Sequence, residues 1–253
     1  MSSYGFEIFQ VFVPQPHERA EISQLSPDFL ARGFCHAPYY GSLCDVSRDT
    51  SRLLYEYVHG ARVWGFNKLV LHPGSARTTV PEGKKQGIKT FARAINLVQA
   101  HRWGVRLFIE NGAHGGATVG SVLSDFYELA QWVDEPRELR LCIDTAHAHA
   151  AGYYLKTVSG RAKFFDELET VHEKIPLGLL HFNDVYGAVG THEDRHAPVG
   201  MGVLGHEALY ACLSHKIMHM VPIILELSLA HEPMLRQTYA LLKSWVTELY
   251  GKQ

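Results

Sequence analysis

The chain is short of the features that tie a protein to a membrane, a disulfide scaffold or a polyanion. Its 253 residues include four cysteines, Cys35, Cys44, Cys142 and Cys212, with no CxxC pair among them. That spacing argues against a thiolate zinc site or a disulfide framework and reads as small buried hydrophobes. No apolar run approaches the ~20 residues needed to cross a bilayer, and MSSYGFEIFQ has no basic segment followed by a signal-like apolar stretch. A soluble, intracellular protein is expected. There is no internal repeat, low-complexity tract or Pro/Ser-rich linker, so residues 1–253 read as one domain. Positive charge is not in excess either, because 24 Lys and Arg against 26 Asp and Glu leave a formal net charge of −2, which is not the basic signature of a nucleic-acid binder.

What the chain has instead is histidine, 16 in all, and imidazole is the commonest neutral metal ligand. Five apolar, strand-like runs end on a residue able to bind metal: LVLH at His72, RLFIE at Glu110, LRLCID at Asp144, GLLH at His181 and PIILE at Glu226. With GFEIFQV and GFCH they predict seven strands, near residues 7–13, 33–36, 68–72, 106–110, 140–144, 178–182 and 222–227. Helical periodicity falls between them, over 48–64, 82–103, 119–133, 161–175, 206–218 and 233–249. Buried parallel strands alternating with amphipathic helices, in a chain close to the ~250 residues of a (β/α) barrel, predict that architecture. In it all strand ends open into one mouth. The longest segment without pattern, residues 185–205, is a candidate functional loop.

Local spacing adds to the strand ends. His147 follows Asp144 by three residues in CIDTAHAHAAGYY, and Asp194 and His196 sit two apart in THEDRHAPVG, on one side of an extended backbone, with Arg195 on the other. Together with His36 at the end of GFCH, the set is His36, His72, Glu110, Asp144, His147, His181, Asp194, His196 and Glu226. A single zinc takes about four ligands, so nine suit two or three ions.

LHPGS, FIENGA, LCIDTAHAHAAGY, LLHFND, DRHAPVGMG and ILEL, in this order, resemble the signature blocks of the endonuclease IV family of zinc-dependent apurinic/apyrimidinic endonucleases. The resemblance implies a TIM-type barrel and three zinc ions: one on His36, His72 and Glu110; one on Glu110, Asp144, His181 and Glu226; one on His147, Asp194 and His196. It implies hydrolysis of DNA 5′ to abasic sites, a base-excision-repair activity centred on Glu110, Asp144 and Glu226, with Tyr39 lining the lesion pocket. Arg77, Lys84, Arg161 and Arg195 are candidates for backbone contacts, and Gly200 and Gly202 for a phosphate-holding turn, although a tight turn before the next helix explains the glycines equally well. The segment GFEIFQVFVP resembles the family's second strand yet starts near Met1, so one βα unit fewer is expected, with the seam left open, patched by a terminus or covered through self-association. Residues 14–22 lack the polar pattern of a DNA-inserting loop.

Plainer readings stand beside these. The other eleven histidines, at 17, 59, 101, 114, 149, 172, 192, 206, 215, 219 and 231, read as core or surface residues, with His114 and His149 near enough to the ligands to support them. Lys84, Lys85 and Lys89 read as a solvated helix face. A sugar isomerase or epimerase on a related barrel also gathers Glu, Asp and His at strand ends but does not require His147, Asp194 and His196. A DNA-binding protein that keeps zinc only for stability is the third reading.

Overall fold

A computed structural model describes residues 7–13, 25–39, 41–77, 81–227 and 232–251; the 14–22 segment, His17 and His231 lie outside them. Seven parallel strands run in chain order across one sheet: β1 (Phe9–Phe12), β2 (Gly33–His36), β3 (Lys68–Leu71), β4 (Arg106–Glu110), β5 (Arg140–Asp144), β6 (Leu177–His181) and β7 (Ile223–Ile224). The sheet curls into a nearly closed barrel. Helices α1 (Pro27–Leu30), α2 (Thr50–Val63), α3 (Pro81–Ala100), α4 (Ser124–Ala130), α6 (Val158–His172), α7 (Gly205–Leu213) and α8 (Glu232–Tyr250) pack around it, while the short, buried α5 (Thr145–Ala151) follows directly on β5 at the mouth.

Strand pleating sorts each run into two faces. Cys35, Leu69, Leu71, Leu107, Ile109, Leu141, Ile143 and Leu180 point outward into the large core shared with the helices. Phe34, Val70, Phe108, Cys142, Leu179 and Ile224, one from each of β2 to β7, point inward and pack on one another, with Ile8, just before β1, against them. Two residues further on, the same inward face presents Gln10, His36, His72, Glu110, Asp144, His181 and Glu226. An apolar floor therefore carries a polar ring.

Helix boundaries follow local chemistry. Asp49 caps α2 by accepting from Arg52 N–H, and Thr157 caps α6 by accepting from Gly160 N–H. The helix expected over 119–133 is shorter, because Thr118–Val119 pairs antiparallel with Gly74–Ser75 and Gly120 turns the chain at φ +88°. The one expected over 206–218 stops at Leu213 and resumes as a 3-10 turn, Lys216–Met218. Lys84 leaves the expected solvated face: its Nζ lies 2.8 Å from Asp125 Oδ2. All four cysteines are free and buried.

Among the described residues β1 and β7 are the unpaired ends of the sheet. Between them lies a cleft of about 1490 Å³ lined by Ile8, Phe12, Ile223 and Leu225, with Leu242 and Val246 of α8 beside it; its upper end reaches Tyr39, Asp194 and Glu226. No helix of the described residues is long and apolar enough to cross a membrane.

Candidate metal centre

Glu110 is the hub of the ring. It is fully buried, and four imidazole nitrogens converge on it: His36 Nε2 at 2.9 Å and His72 Nε2 at 3.1 Å from Oε2, and His181 Nδ1 at 2.8 Å and His147 Nδ1 at 3.4 Å from Oε1. His181 Nδ1 also lies 3.1 Å from Glu226 Oε2. The His72 nitrogen is buried and makes no hydrogen bond despite its approach to the carboxylate. His36 and His181 do hydrogen-bond Glu110, but a buried imidazole nitrogen left unpartnered beside a shared carboxylate is what a ligand set looks like, and nitrogen with carboxylate oxygen is a donor set zinc accepts. The groups His36, His72 and Glu110, and Glu110, Asp144, His181 and Glu226, each hold their donor atoms within 4.8 Å of one another.

A second cluster stands on non-strand elements. Asp144 ends β5 and caps α5, with Oδ1 accepting from His147 N–H at 2.8 Å. That bond turns His147 back toward the mouth. The long loop closes over it as an antiparallel pair, Asp184–Val185 with His196–Ala197. His147 Nε2 and His196 Nε2 then both approach Asp194 Oδ1, at 3.2 and 3.1 Å, and each other at 3.4 Å. Asp144 Oδ2 reaches the same place, 3.5 Å from His196 Nε2. All nine expected ligands thus meet in one mouth, in overlapping groups that share Glu110 and Asp144.

Ring tautomers follow from the outer partners. Nδ1 of His36 donates to Ala37 C=O, that of His147 to Asn111 C=O and that of His196 to Glu226 C=O, at 2.7, 3.0 and 3.0 Å, so that Nε2 of each faces the centre and carries the lone pair when the ring is neutral. Burial alone would raise the Glu110 carboxyl; the adjacent His181 and His72 hold it well below the usual range. Burial likewise opposes charge on His196, but Asp144 and Asp194 prevail and lift it to about 9. His72 goes the other way, lowered to about 4 by burial despite Glu110.

The remaining expected residues are placed as follows. Tyr39 lies at the mouth, its ring stacked 4.7 Å from that of His72 and its hydroxyl donating to Asp194 Oδ2 at 3.4 Å. Arg195 is exposed and 3.7 Å from Glu193; Arg77 is held 3.1 Å from the buried Asp45. Arg161 donates to Leu155 C=O and Lys156 C=O rather than standing free. Gly200 and Gly202 form a turn, but both N–H groups donate to Asp184 Oδ2, joined there by Gly205 N–H, while Leu204 N–H donates to Oδ1. This corrects their expected chemistry: the amides are engaged within the protein and are not open to a phosphate. The glycines are needed because Gly200 has φ +84° and a Cβ on Gly202 would meet Asp184 Oδ1 at 2.4 Å. His114 and His149 do not touch the ligands through their rings. His114 bonds His192 C=O, and His149 is fully buried with both ring nitrogens unpartnered.

Three further residues organise the site. The Asn111 side chain brackets Asp144 through the N–H and C=O of its backbone, Asn183 donates to Asp144 Oδ2 at 2.6 Å while accepting from Glu226 N–H, and Gln10 bridges His181 and Glu226. The asparagines lie one and two residues past strand-end ligands, in FIENGA and LLHFND, a position that could have marked them. Gln10 carries no such mark, since an amide in FEIFQVF is neither charged nor an imidazole.

A family model described as xylose isomerase-like TIM barrel matches residues 1–245. A probable endonuclease 4 of Listeria monocytogenes serotype 4b is 30% identical over 242 residues, covering 89% of this chain and 80% of that one. Endonuclease IV of Thermus thermophilus superposes with a TM-score of 0.73 at 23% identity, over 98% of this chain and 91% of that chain. A D-tagatose 3-epimerase-like protein does so with a TM-score of 0.74 at 15% identity, over the same shares. The fold is common to nucleases and sugar epimerases, and it is the sequence relationship that decides between them: the chain belongs to the endonuclease IV family of xylose isomerase-like TIM barrels.

Proposed function

We propose that this protein is a zinc-dependent hydrolase that cuts DNA phosphodiester bonds 5′ to abasic sites. The observation that carries the reading is the convergence of nine donor side chains, with His147, Asp194 and His196 gathered beside the strand-end ring. A sugar-isomerising barrel does not require that second cluster; three ions do. His36, His72 and Glu110 would hold one ion, Glu110, Asp144, His181 and Glu226 a second, and His147, Asp194 and His196 a third. Zinc bound there supplies Lewis acidity and lowers the pKa of its water to about 7, so that a nucleophile exists at neutral pH.

The chain's own groups do the rest. Asn111 and Asn183 hold Asp144 with its carboxylate at the mouth. Tyr39, 58% exposed and stacked over His72, offers a flat wall to a sugar that has no base. An abasic nucleotide has no base to unstack, so swinging it out is cheap, and that cost difference supports selectivity. Arg195 and Arg77, exposed near the mouth, would position the DNA backbone without reading sequence. Three Zn²⁺ and one hydroxide would shift the formal charge from −2 to about +3 at the surface that meets phosphate. The open edge between β1 and β7 supports self-association, measurable by light scattering over a concentration series.

Elemental analysis of zinc-saturated protein, with incision of an oligonucleotide carrying one abasic site, tests the proposal. About three zinc ions per chain and cleavage at the lesion are expected, with Glu226→Gln folded but suppressed in incision. One ion per chain, or turnover of a free ketose in place of DNA, would favour the epimerase reading.

A further inference from the structure

Gln10 is the seventh member of the strand-end ring. It stands two residues past Ile8 on the inward face of β1, as His36 stands past Phe34 and Glu226 past Ile224. Its amide nitrogen donates to Glu226 Oε1 at 2.6 Å, and its amide oxygen lies 2.9 Å from His181 Nε2. We propose that Gln10 is a positioning residue for the metal centre, fixing the tautomer of His181 and the orientation of Glu226 and so forming the ligand set of the second ion. The inference rests on the metal reading above.

The chain of constraint starts at Glu226. An ionised carboxylate only accepts hydrogen bonds, so the Gln10 nitrogen must be the atom that faces it. The Gln10 oxygen then faces His181, and an oxygen there requires that Nε2 carry the hydrogen. In the neutral ring Nδ1 is then the nitrogen with the lone pair, and it is Nδ1 that lies beside Glu110 Oε1 and Glu226 Oε2. The same bond to Oε1 turns Glu226 so that Oε2 is the oxygen presented to the centre. One neutral side chain thereby selects one donor atom on each of two ligands.

A comparison within the site gives this weight. His36, His147 and His196 present Nε2, and each has its Nδ1–H taken by a backbone carbonyl. His181 presents the opposite nitrogen, and the Gln10 side chain does for it what the backbone does for the others. Only an uncharged group that accepts at one end and donates at the other can serve both neighbours, which the carboxamide does. Gln10 also lies on one unpaired end of the sheet and Glu226 just beyond the other, so its bonds link the two sides of the seam at the level of the ring.

Gln10→Met, similar in volume but without the amide, separates hydrogen bonding from packing; Gln10→Ala repeats the test with the side chain removed. The readouts are zinc content after dialysis, zinc affinity by competition with a chelator, and the ring ¹⁵N shifts of His181 in zinc-loaded protein. Wild type should show Nε2–H and a ligated Nδ1 at His181. Both variants should lose affinity for one ion of the set by ~10–100-fold, the range for outer partners of metal ligands, while the affinities for the other ions stay at wild-type values. Wild-type zinc affinity in both variants, or Nδ1–H at His181, would overturn the inference. If wild type binds no zinc, the metal reading itself fails; if wild type is loaded and the variants match it, only the role of Gln10 does.

Discussion

Two layers of the barrel interior lie two residues apart on the same seven strands and have opposite chemistry. The floor, Phe34, Val70, Phe108, Cys142, Leu179 and Ile224 with Ile8 against it, is a close-packed apolar ring in which Phe34 and Phe108 meet edge to face at 5.1 Å. The ring above it crowds Glu110 against three imidazoles. Burying a carboxylate is unfavourable unless opposite charge or donors compensate, so stability comes from the floor and is given up in the ring. The floor holds every strand at a fixed height, and the ring inherits that alignment.

The sharpest way to break this contrast is to damage one layer and watch the other. Phe108→Ala should cost ~3–5 kcal/mol of stability, as large-to-small core changes do, while the folded fraction keeps the zinc content of wild type; denaturant titration and elemental analysis measure the two sides. Loss of zinc in step with stability would show that the layers are not separable. Glu110→Gln is the complement. Removing the hub should lower zinc affinity by more than the ~100-fold at the top of the range for outer partners, read by chelator competition. Asp184→Asn tests the hairpin: weakening the acceptor of the Gly200, Gly202, Leu204 and Gly205 amides should reduce occupancy of the ion on His147, Asp194 and His196 by ~10-fold without touching the strand-end ions, read by chelator competition.

The smallest effect is a pH dependence. In metal-free protein burial opposes charge on His147, His181 and His196, yet nearby carboxylates raise His147 and His196, the latter to about 9, and Cys142 together with Glu110 and Glu226 raises His181. A raised folded value means stability that is full below the ordinary imidazole pKa of ~6.5 and lost as pH rises through about 9. His72, lowered to about 4 chiefly by burial, works in the opposite sense, but only below 6.5. Chelator-treated protein should therefore be less stable to denaturant at pH 9 than at pH 6.5. Zinc-loaded protein should lose that trend, because protons compete with the metal for imidazole.

The sequence made the ring legible and the hairpin only partly so. Strand-end ligands such as Glu110 and Asp144 could be read because apolar runs reveal the pleat, and the pleat dictates which residue faces inward. His147, Asp194 and His196 were visible as spacing, but the interaction that assembles them, Asp184 gathering backbone amides 16 to 21 residues away, leaves no local pattern. A GxG pair such as Gly200 and Gly202 does not say what its amides will bond, and here they bond Asp184. Gln10 escaped because its significance lies in two residues distant in sequence. The short strand at residues 223–224 shows the same limit, as its flanks were expected to continue the pairing over 222–227.

The hairpin on Asp184–Val185 and His196–Ala197 is tied to α5 by Gly190 N–H on His149 C=O and by His192 N–H on Ala150 C=O. Its donor side chains, Asp194 and His196, and the helix carrying His147 are thus one unit, laid over a ring built from strands alone. A lineage could exchange that unit for another without disturbing a single barrel strand, because lengthening a surface loop costs only ~0.6 kcal/mol per doubling. The barrel is then a shared chassis and the hairpin its interchangeable part, and divergence between hydrolysing a polymer and rearranging a sugar would need to begin in one loop of about twenty residues.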